Sequence, residues 1–324
     1  MRFNFAYESY GAFMKKILFM GTPEISSICL QKLLDGGFSV VGVVTREDKP
    51  RGRGKQMMPT PTKALALEYG IPVYEPKTLR DESFMEILRT LSPDLIVVVA
   101  YGKILPPAVL DFAPFGAINL HVSLLPKYRG AAPMQRAIME GERETGVTVM
   151  YMAEGLDTGD IITQSVFPIG PLDDFEAIHD RSAEVGGALL CETIPKIFDG
   201  TATRTPQCEA LATYAAKIEK GDCHIDFEES ASVLDPMIRG VTPIPGAYAY
   251  HNGAMLKIRR ATPITAVGKP GEVLEINGVG TGSFTVACGE GALLVTEVIP
   301  EGKGRMSAGD FVRGRKIQKG DVLS

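Results

Sequence analysis

The feature that most constrains the fold is an apolar segment without a single polar residue, Leu95–Ala100, which consists mainly of β-branched side chains. Such a run is typical of a strand covered on both faces, as in a parallel sheet flanked by helices. Shorter apolar runs recur along the first 200 residues and alternate with segments of helical periodicity. The predicted strands are Ile17–Met20, Val40–Val44, Pro72–Tyr74, Leu95–Ala100, Ala117–Leu120 and Thr145–Met152, and the predicted helices are Glu24–Leu34, Thr62–Tyr69, Ser83–Leu91 and Phe175–Phe198. This alternation predicts an α/β domain with a mostly parallel sheet.

The pattern changes near residue 200. A short polar segment with a proline follows the long predicted helix, and we expect residues 201–210 to be a linker. Beyond it, short strands separated by glycines predict a small β-barrel or sandwich; they are Val273–Ile276, Ser283–Ala287 and Leu293–Val298. We therefore expect an extension at 1–13 that is disordered or precedes the true start, a catalytic domain at 14–200, the linker, and a β-domain at 211–324.

The charge balance first argues against a nucleic-acid partner. The formal net charge is -5, whereas a basic surface is the usual mark of nucleic-acid binding. However, residues 46–63 and residues 301–319 each hold six basic and two acidic side chains. These two segments, called basic islands below, are either solvated surface or sites that attract a polyanion.

Further features limit the class of protein. Five dispersed cysteines without a CxxC pair favour a reducing compartment and disfavour structural zinc. The sequence contains no apolar run of the roughly 18 residues that a membrane span needs. We therefore expect a cytoplasmic protein without a membrane partner.

The turn after the first predicted strand reads Gly21-Thr22-Pro23-Glu24-Ile25. Pro23 stands where a glycine-rich phosphate loop needs close backbone approach, and no GxxxxGK[ST] motif occurs. Nucleotide binding is therefore disfavoured, and Pro23 is expected at the first helical position with Thr22 as the N-cap.

The segment AINLHVSLLP, residues 117–126, carries the strongest chemical signal. Alternation along a strand places Asn119 and His121 on the same face, two residues apart. An amide and an imidazole on one face can hold a carbonyl oxygen and exchange a proton beside it. A structural histidine satisfied by its neighbours is the alternative interpretation.

A glycine-punctuated acidic loop, residues 154–160, follows the last of these strands and contains Asp157. It is either an ordinary turn, since Asp, Gly and Thr are common turn residues, or a carboxylate delivered to orient a histidine. Neither element decides the function alone.

Taken together, NLHVSLLP, YRGAAPMQ (residues 128–135) and GLDTGD (residues 155–160) resemble the folate-dependent formyltransferase family. GTPE at 21–24, DKPRGRGK at 48–55 and VVAYGKILP at 98–106 extend the resemblance over most of the chain. It implies a Rossmann-like N-terminal domain and a smaller, OB-like C-terminal β-barrel that binds tRNA. It also implies formyl transfer from 10-formyltetrahydrofolate, a co-substrate, to the α-amine of methionyl-initiator tRNA, with no metal and no nucleotide.

The resemblance also assigns residues. The catalytic residues would be Asn119, His121 and Asp157, with the amide and the imidazole donating to the oxyanion and the carboxylate assisting proton transfer. The folate-contacting turn would comprise Ser123, Leu124, Leu125 and Pro126. The family's loop arginine falls on Arg53, and we expect Arg51 and Lys55 to bind tRNA with it. We expect the protein to be a monomer.

Three alternatives remain. A formyltransferase acting on a purine ribonucleotide or an amino sugar would use the same three residues, and the basic loop with the separate β-domain argues against it. A non-catalytic RNA-binding protein would need none of the residues Asn119, His121 and Asp157. A dinucleotide-dependent reductase is disfavoured by Pro23.

Overall fold

The computed structural model describes residues 15–51, 56–277, 282–314 and 316–324. These residues form two compact units. The first unit contains the described residues up to Gly130 together with Gly146–Phe167 and His179–Tyr214, and the second contains Ala131–Thr145, Pro168–Ile178 and the residues from Ala215 onward. The predicted extension at 1–13 lies outside the described residues.

The strands are β1 Lys16–Gly21, β2 Ser39–Val44, β3 Lys49–Arg51, β4 Gln56–Met58, β5 Val73–Tyr74, β6 Leu95–Val99, β7 Ala117–His121, β8 Arg129–Gly130, β9 Glu144–Tyr151, β10 Ile161–Pro168, β11 Tyr214–Ala215, β12 Tyr248–His251, β13 Ala254–Ile264, β14 Val273–Asn277, β15 Ser283–Ala287, β16 Ala292–Pro300 and β17 Met306–Ser307. The helices are α1 Glu24–Asp35, α2 Pro61–Glu68, α3 Glu82–Leu91, α4 Pro107–Leu110, α5 Pro133–Met139, α6 Phe175–Phe198, α7 Ala231–Gly240 and α8 Ala308–Arg313. Short 3₁₀ turns occur at Glu209–Leu211 and Gly221–Cys223.

A seven-stranded sheet organises the first unit, in the order β10-β9-β7-β6-β1-β2-β5. The pairs β7–β6, β6–β1, β1–β2 and β2–β5 are parallel, whereas β9 runs antiparallel to β7. All five residues of β6 are buried. Burial of both faces follows from its unbroken apolar sequence, and the predicted α/β class with a mostly parallel sheet is confirmed.

The six strands and four helices predicted for this half of the chain are all present, with bounds that shift by at most one residue. The predicted N-cap is wrong. Pro23 itself is the N-cap of α1, and the Thr22 hydroxyl instead donates a hydrogen bond to the Tyr101 carbonyl at 3.2 Å. A tertiary contact therefore takes the side chain that local sequence assigned to the helix end.

The second unit contains an antiparallel sheet in the order β12-β13-β16-β15-β14, with β17 paired to β16. The predicted strands near 273, 283 and 293 correspond to β14, β15 and β16. Sequence analysis missed β12, β13 and α7, whose apolar residues join the same buried core. The C-terminal β-domain is confirmed as an antiparallel sheet, and its closure into a barrel stays a prediction.

The boundary near 200–210 also stays a prediction. Residues 201–214, which include the expected linker, belong to the first compact unit. Among the described residues, the structure contains no helix that is long and apolar enough to cross a membrane.

Candidate functional site

Strand β7 carries the candidate site. Asn119 pairs with Val98 of β6 on one side and Met150 of β9 on the other, so that its backbone is fixed inside the sheet. Strand alternation places the Asn119 and His121 side chains on the same face, as the sequence predicts. Asn119 is half-buried, and its side chain has no hydrogen-bond partner among the described residues. Its amide is therefore free to bind a substrate oxygen.

His121 is buried, with 6% of its surface exposed, and both ring nitrogens face oxygen atoms. Its Nε2 lies 2.9 Å from the Tyr128 carbonyl oxygen. A carbonyl only accepts hydrogen bonds, so Nε2 carries a proton and donates. Its Nδ1 lies 3.6 Å from Asp157 Oδ2. The ring is thus fixed in orientation, and a proton taken up at Nδ1 would point toward a carboxylate.

Asp157 reaches His121 from the glycine-rich loop at 154–160. Its Oδ2 accepts a hydrogen bond from the backbone N–H of Gly130 at 2.9 Å. The residue has φ of 53°, a left-handed conformation that is uncommon for a side chain larger than glycine. Two residues on, a Cβ on Gly159 would overlap the Tyr151 carbonyl oxygen, so this turn packs tightly against the end of β9. The structure therefore brings together all three residues predicted to be catalytic.

The predicted folate turn follows β7 directly. The Ser123 hydroxyl is fully buried and donates to the Lys127 carbonyl at 2.7 Å, which closes the turn on itself. Leu125 is buried, whereas Leu124 and Pro126 are partly exposed. The turn is therefore rigid, and part of its apolar surface remains available for contact.

Strands β9 and β10 support this turn. The Thr148 hydroxyl donates to the Ser123 carbonyl at 2.6 Å and accepts from the Leu125 N–H at 3.2 Å. The Gln164 amide donates to the Leu125 carbonyl at 2.9 Å. These contacts link two strands to the segment that would face a folate ring.

The structure describes only part of the first basic island. Arg53 and Lys55, which we expect to bind tRNA, lie outside the described residues, and Arg51 is the last residue of β3. Lys63 is not available for such binding, because its Nζ bonds carboxylate oxygens of Asp48 and Glu75 at 2.8 Å each. These hydrogen bonds raise the pKa of Lys63.

Ion pairs also occupy part of the second basic island. Arg305 contacts the Glu297 carboxylate at 2.6 Å, and Arg313 contacts Asp310 at 3.1 Å. The exposed lysines of the island are Lys303, Lys316 and Lys319. The positive surface is therefore smaller than a count of basic residues suggests.

Sequence analysis missed a set of polar residues that lie next to the backbone of the loop at 154–160. Arg129 has a fully buried side chain and contacts Gln207 and Glu209, which belong to the segment expected to be a linker. Arg129 lies within the YRGAAPMQ motif, but no spacing rule connects it to a residue about 80 positions later. A buried arginine becomes recognisable only when the fold is known.

The sequence is similar to that of known proteins over nearly its whole length. A family model described as "Formyl transferase" matches residues 15–194, and one described as "Formyl transferase, C-terminal domain" matches residues 217–316. The chain is 48% identical to the methionyl-tRNA formyltransferase of Symbiobacterium thermophilum over 314 residues, which cover 96% of each chain. It is 45% identical to that of Citrifermentans bemidjiense over 308 residues, covering 95% of this chain and 96% of the relative.

A solved structure shows the same fold. The N-formyltransferase of Helicobacter canadensis, in complex with folinic acid and dTDP-3-aminofucose, superposes with a TM-score of 0.66. The match covers 87% of this chain and 99% of that chain at 21% identity. Within the described residues, no group of three or more His, Cys, Asp or Glu side chains could hold a metal ion.

Proposed function

Because the chain belongs to the formyl transferase family, we propose that Asn119, His121 and Asp157 are its catalytic residues. The reaction transfers a formyl group from 10-formyltetrahydrofolate, the co-substrate, to the α-amine of methionyl-initiator tRNA, for translation initiation. The observation that carries the assignment of residues is the approach of Asp157 Oδ2 to His121 Nδ1, at 3.6 Å, beside the strand that also presents Asn119.

Asn119 has the role of an oxyanion donor. Attack of the amine on the formyl carbon places negative charge on the formyl oxygen, and fixed donors that meet this charge lower the barrier. The Asn119 amide has a backbone fixed by two neighbouring strands and no competing partner among the described residues. Loss of one such donor costs on the order of 10²–10³ in rate.

His121 and Asp157 have the role of moving protons. The α-amine must be neutral to attack, and it gives up a proton as the new bond forms. Since Nε2 already donates to the Tyr128 carbonyl, we assign this proton to Nδ1, where the carboxylate of Asp157 can stabilise it. The bond between the formyl carbon and the folate nitrogen then breaks, and the proton passes to that departing nitrogen, which releases tetrahydrofolate. In this assignment Asn119 stabilises the oxyanion and His121 accepts the proton, whereas the resemblance implied that His121 also donates to the oxyanion.

The turn formed by Ser123, Leu124, Leu125 and Pro126 is proposed to contact the folate. It follows β7 directly, so a ligand on this turn would lie next to Asn119 and His121. The buried hydrogen bonds of Ser123 and Thr148 hold the turn before any ligand binds, which lowers the entropy cost of binding.

The segment that contains Arg51, Arg53 and Lys55 is proposed to contact the tRNA. Basic side chains can neutralise phosphates without reading the sequence of bases. We expect Arg53→Ala to weaken the use of charged tRNA more than the use of 10-formyltetrahydrofolate. Equal losses for both substrates would show that the segment is structural.

We also propose a cytoplasmic monomer. All five cysteines are free, as expected in a reducing compartment. Sedimentation of the purified protein would measure the oligomeric state, and a stable dimer would refute this part of the proposal.

The test is formyl transfer from 10-formyltetrahydrofolate to charged and uncharged initiator tRNA, with a purine ribonucleotide and an amino-sugar nucleotide as control acceptors. We expect transfer to the charged tRNA alone. Asn119→Ala and His121→Ala should then lower kcat by at least about 10²-fold while the affinity for tRNA changes little. A His121→Ala variant with the kcat of the unmodified protein would overturn the catalytic assignment.

A further inference from the structure

Arg129 is an unusual feature of the first unit, because its side chain is fully buried although it carries a charge. Its guanidinium binds the Glu209 carboxylate at two positions, Nη1 to Oε2 at 3.0 Å and Nη2 to Oε1 at 2.7 Å. It also donates twice to Gln207 Oε1, from Nε at 3.0 Å and from Nη2 at 2.8 Å. A buried charge needs such partners, since removal from water is costly.

These contacts determine the orientation of the Gln207 amide. Arginine can only donate, so the oxygen of the amide faces Arg129 and its nitrogen faces the opposite side. There, Nε2 donates to the carbonyl oxygens of Asp157 and Gly159, at 2.8 Å each. One side chain therefore connects the buried guanidinium to two backbone groups of the loop that carries the proposed catalytic carboxylate.

The loop needs this support because of its backbone. A left-handed φ in a residue other than glycine is strained and persists only where the surroundings hold it. Asp157 is held on both sides, by Gln207 at its carbonyl and by the Gly130 N–H at its carboxylate. Gly130 directly follows Arg129 in the chain, so the residue that orients Gln207 is also the backbone neighbour of the N–H that binds the Asp157 carboxylate.

We propose that Gln207, oriented by Arg129 and Glu209, is a positioning residue that holds Asp157 in place beside His121. The proposal rests on the catalytic role of Asp157 given above and adds residues from the segment expected to be a linker. Misplacement of a reacting group by about 1 Å can cost 10²-fold in rate. Gln207 acts through the backbone of the Asp157 loop, so its substitution should lower kcat and leave KM nearly unchanged.

Gln207→Glu tests the contact most selectively. The new carboxylate can still bind Arg129, but it has no N–H for the two carbonyls and places an oxygen against them. We expect kcat to fall by about 10²-fold while KM for each substrate changes by less than about threefold. Cys208→Ala is the matched control, since Cys208 lies between Gln207 and Glu209 and is exposed; its kcat should remain unchanged.

A double variant separates positioning from a general structural role. In an Asp157→Asn background the catalytic carboxylate is already lost, so adding Gln207→Glu should lower kcat by less than about twofold further. Two independent losses that multiply would overturn the proposal. Unchanged kcat in Gln207→Glu, alongside a large loss in Asp157→Asn, would overturn the positioning role but leave the proposed function intact.

Glu209→Gln provides a second variant in case Gln207→Glu does not fold. The Glu209 side chain is 70% exposed, so the substitution is tolerated sterically, but it removes the counter-ion of Arg129. We expect a smaller loss of kcat that again does not add to that of Asp157→Asn, and a multiplicative loss would overturn the proposal. Unchanged kcat in Asp157→Asn would instead overturn the catalytic assignment itself.

Discussion

Adjacent glycines in α6 provide a sharp test of how closely this helix packs on the strand that carries the candidate site. A Cβ on Gly186 would lie 2.5 Å from Leu120 Cδ2, and real Cβ atoms are essentially never found so close to another heavy atom. A Cβ on Gly187 would lie 2.8 Å from Lys32 Cγ. Leu120 is 3% exposed, whereas the Lys32 side chain is 38% exposed and can move.

Alanine at either position gains about 1 kcal/mol of helix propensity over glycine. At Gly186 the added methyl group must displace a buried leucine, and overpacking of this kind typically costs about 1–3 kcal/mol. At Gly187, rotation about χ1 can move Lys32 Cγ, but Lys32 Cβ lies 3.1 Å from the added methyl group and must also give by a few tenths of an ångström. We therefore expect Gly187→Ala to be more stable than Gly186→Ala by up to about 1–3 kcal/mol, with Gly187→Ala within about 1 kcal/mol of the unmodified protein.

Denaturant unfolding of the two variants measures this difference, and formyl-transfer kinetics measure its consequence. Leu120 lies in β7 between Asn119 and His121, with its side chain on the opposite face. Displacement of Leu120 should therefore lower kcat in Gly186→Ala but not in Gly187→Ala. Equal stabilities for the two variants would refute the reasoning, since they would show that α6 and β7 are not in the close contact described.

Thiol chemistry and acid sensitivity provide further tests. Burial raises the pKa of Cys29 to about 12. We therefore expect a thiol reagent at pH 8 to label the exposed Cys208 and leave Cys29 unmodified in the native protein. Labelling of Cys29 before the protein unfolds would contradict the burial of this thiol. The hydrogen bond from Arg129 lowers the pKa of Glu209 below 4.5, so this pair stabilises the fold above pH 4.5 and loses its effect as the pH falls through the lowered value. The Tm of Glu209→Gln should therefore lie below that of the unmodified protein at pH 7 and approach it in acid, and a difference that stays constant with pH would exclude the ion pair as its cause.

Much of the candidate site could be predicted from local sequence. The period of two in a strand places Asn119 and His121 on one face wherever that strand lies in the fold. Likewise, the unbroken apolar run of β6 requires cover on both faces, and this requirement alone predicts a central strand of an α/β sheet. The glycines around Asp157 indicate a tight turn after β9, although they do not indicate what the turn contacts.

One prediction from local sequence was wrong and another was incomplete, because the groups involved have partners that the local sequence does not show. Thr22 has the chemistry of an N-cap, but the Tyr101 carbonyl lies within reach and accepts its hydrogen bond. Each basic island was described by its count of basic and acidic side chains, yet Lys63 and Arg305 form ion pairs with nearby carboxylates. Side-chain pairing of this kind has no periodicity that a sequence can show.

The sequence by itself determined the mostly parallel sheet and the order of its main elements along the chain, because these follow from periodic patterns, and it proposed the site residues through motifs that resemble a known family. The tertiary structure alone decided that Asp157 approaches His121. It also decided that Arg129 contacts Gln207 and Glu209, and that Gln207 contacts the backbone of the Asp157 loop. These contacts join residues far apart in the chain, and a buried charge selects its partners by distance and burial in the folded state. The polar segment at 201–210, which has no pattern of its own, therefore becomes part of the candidate site only in the folded protein.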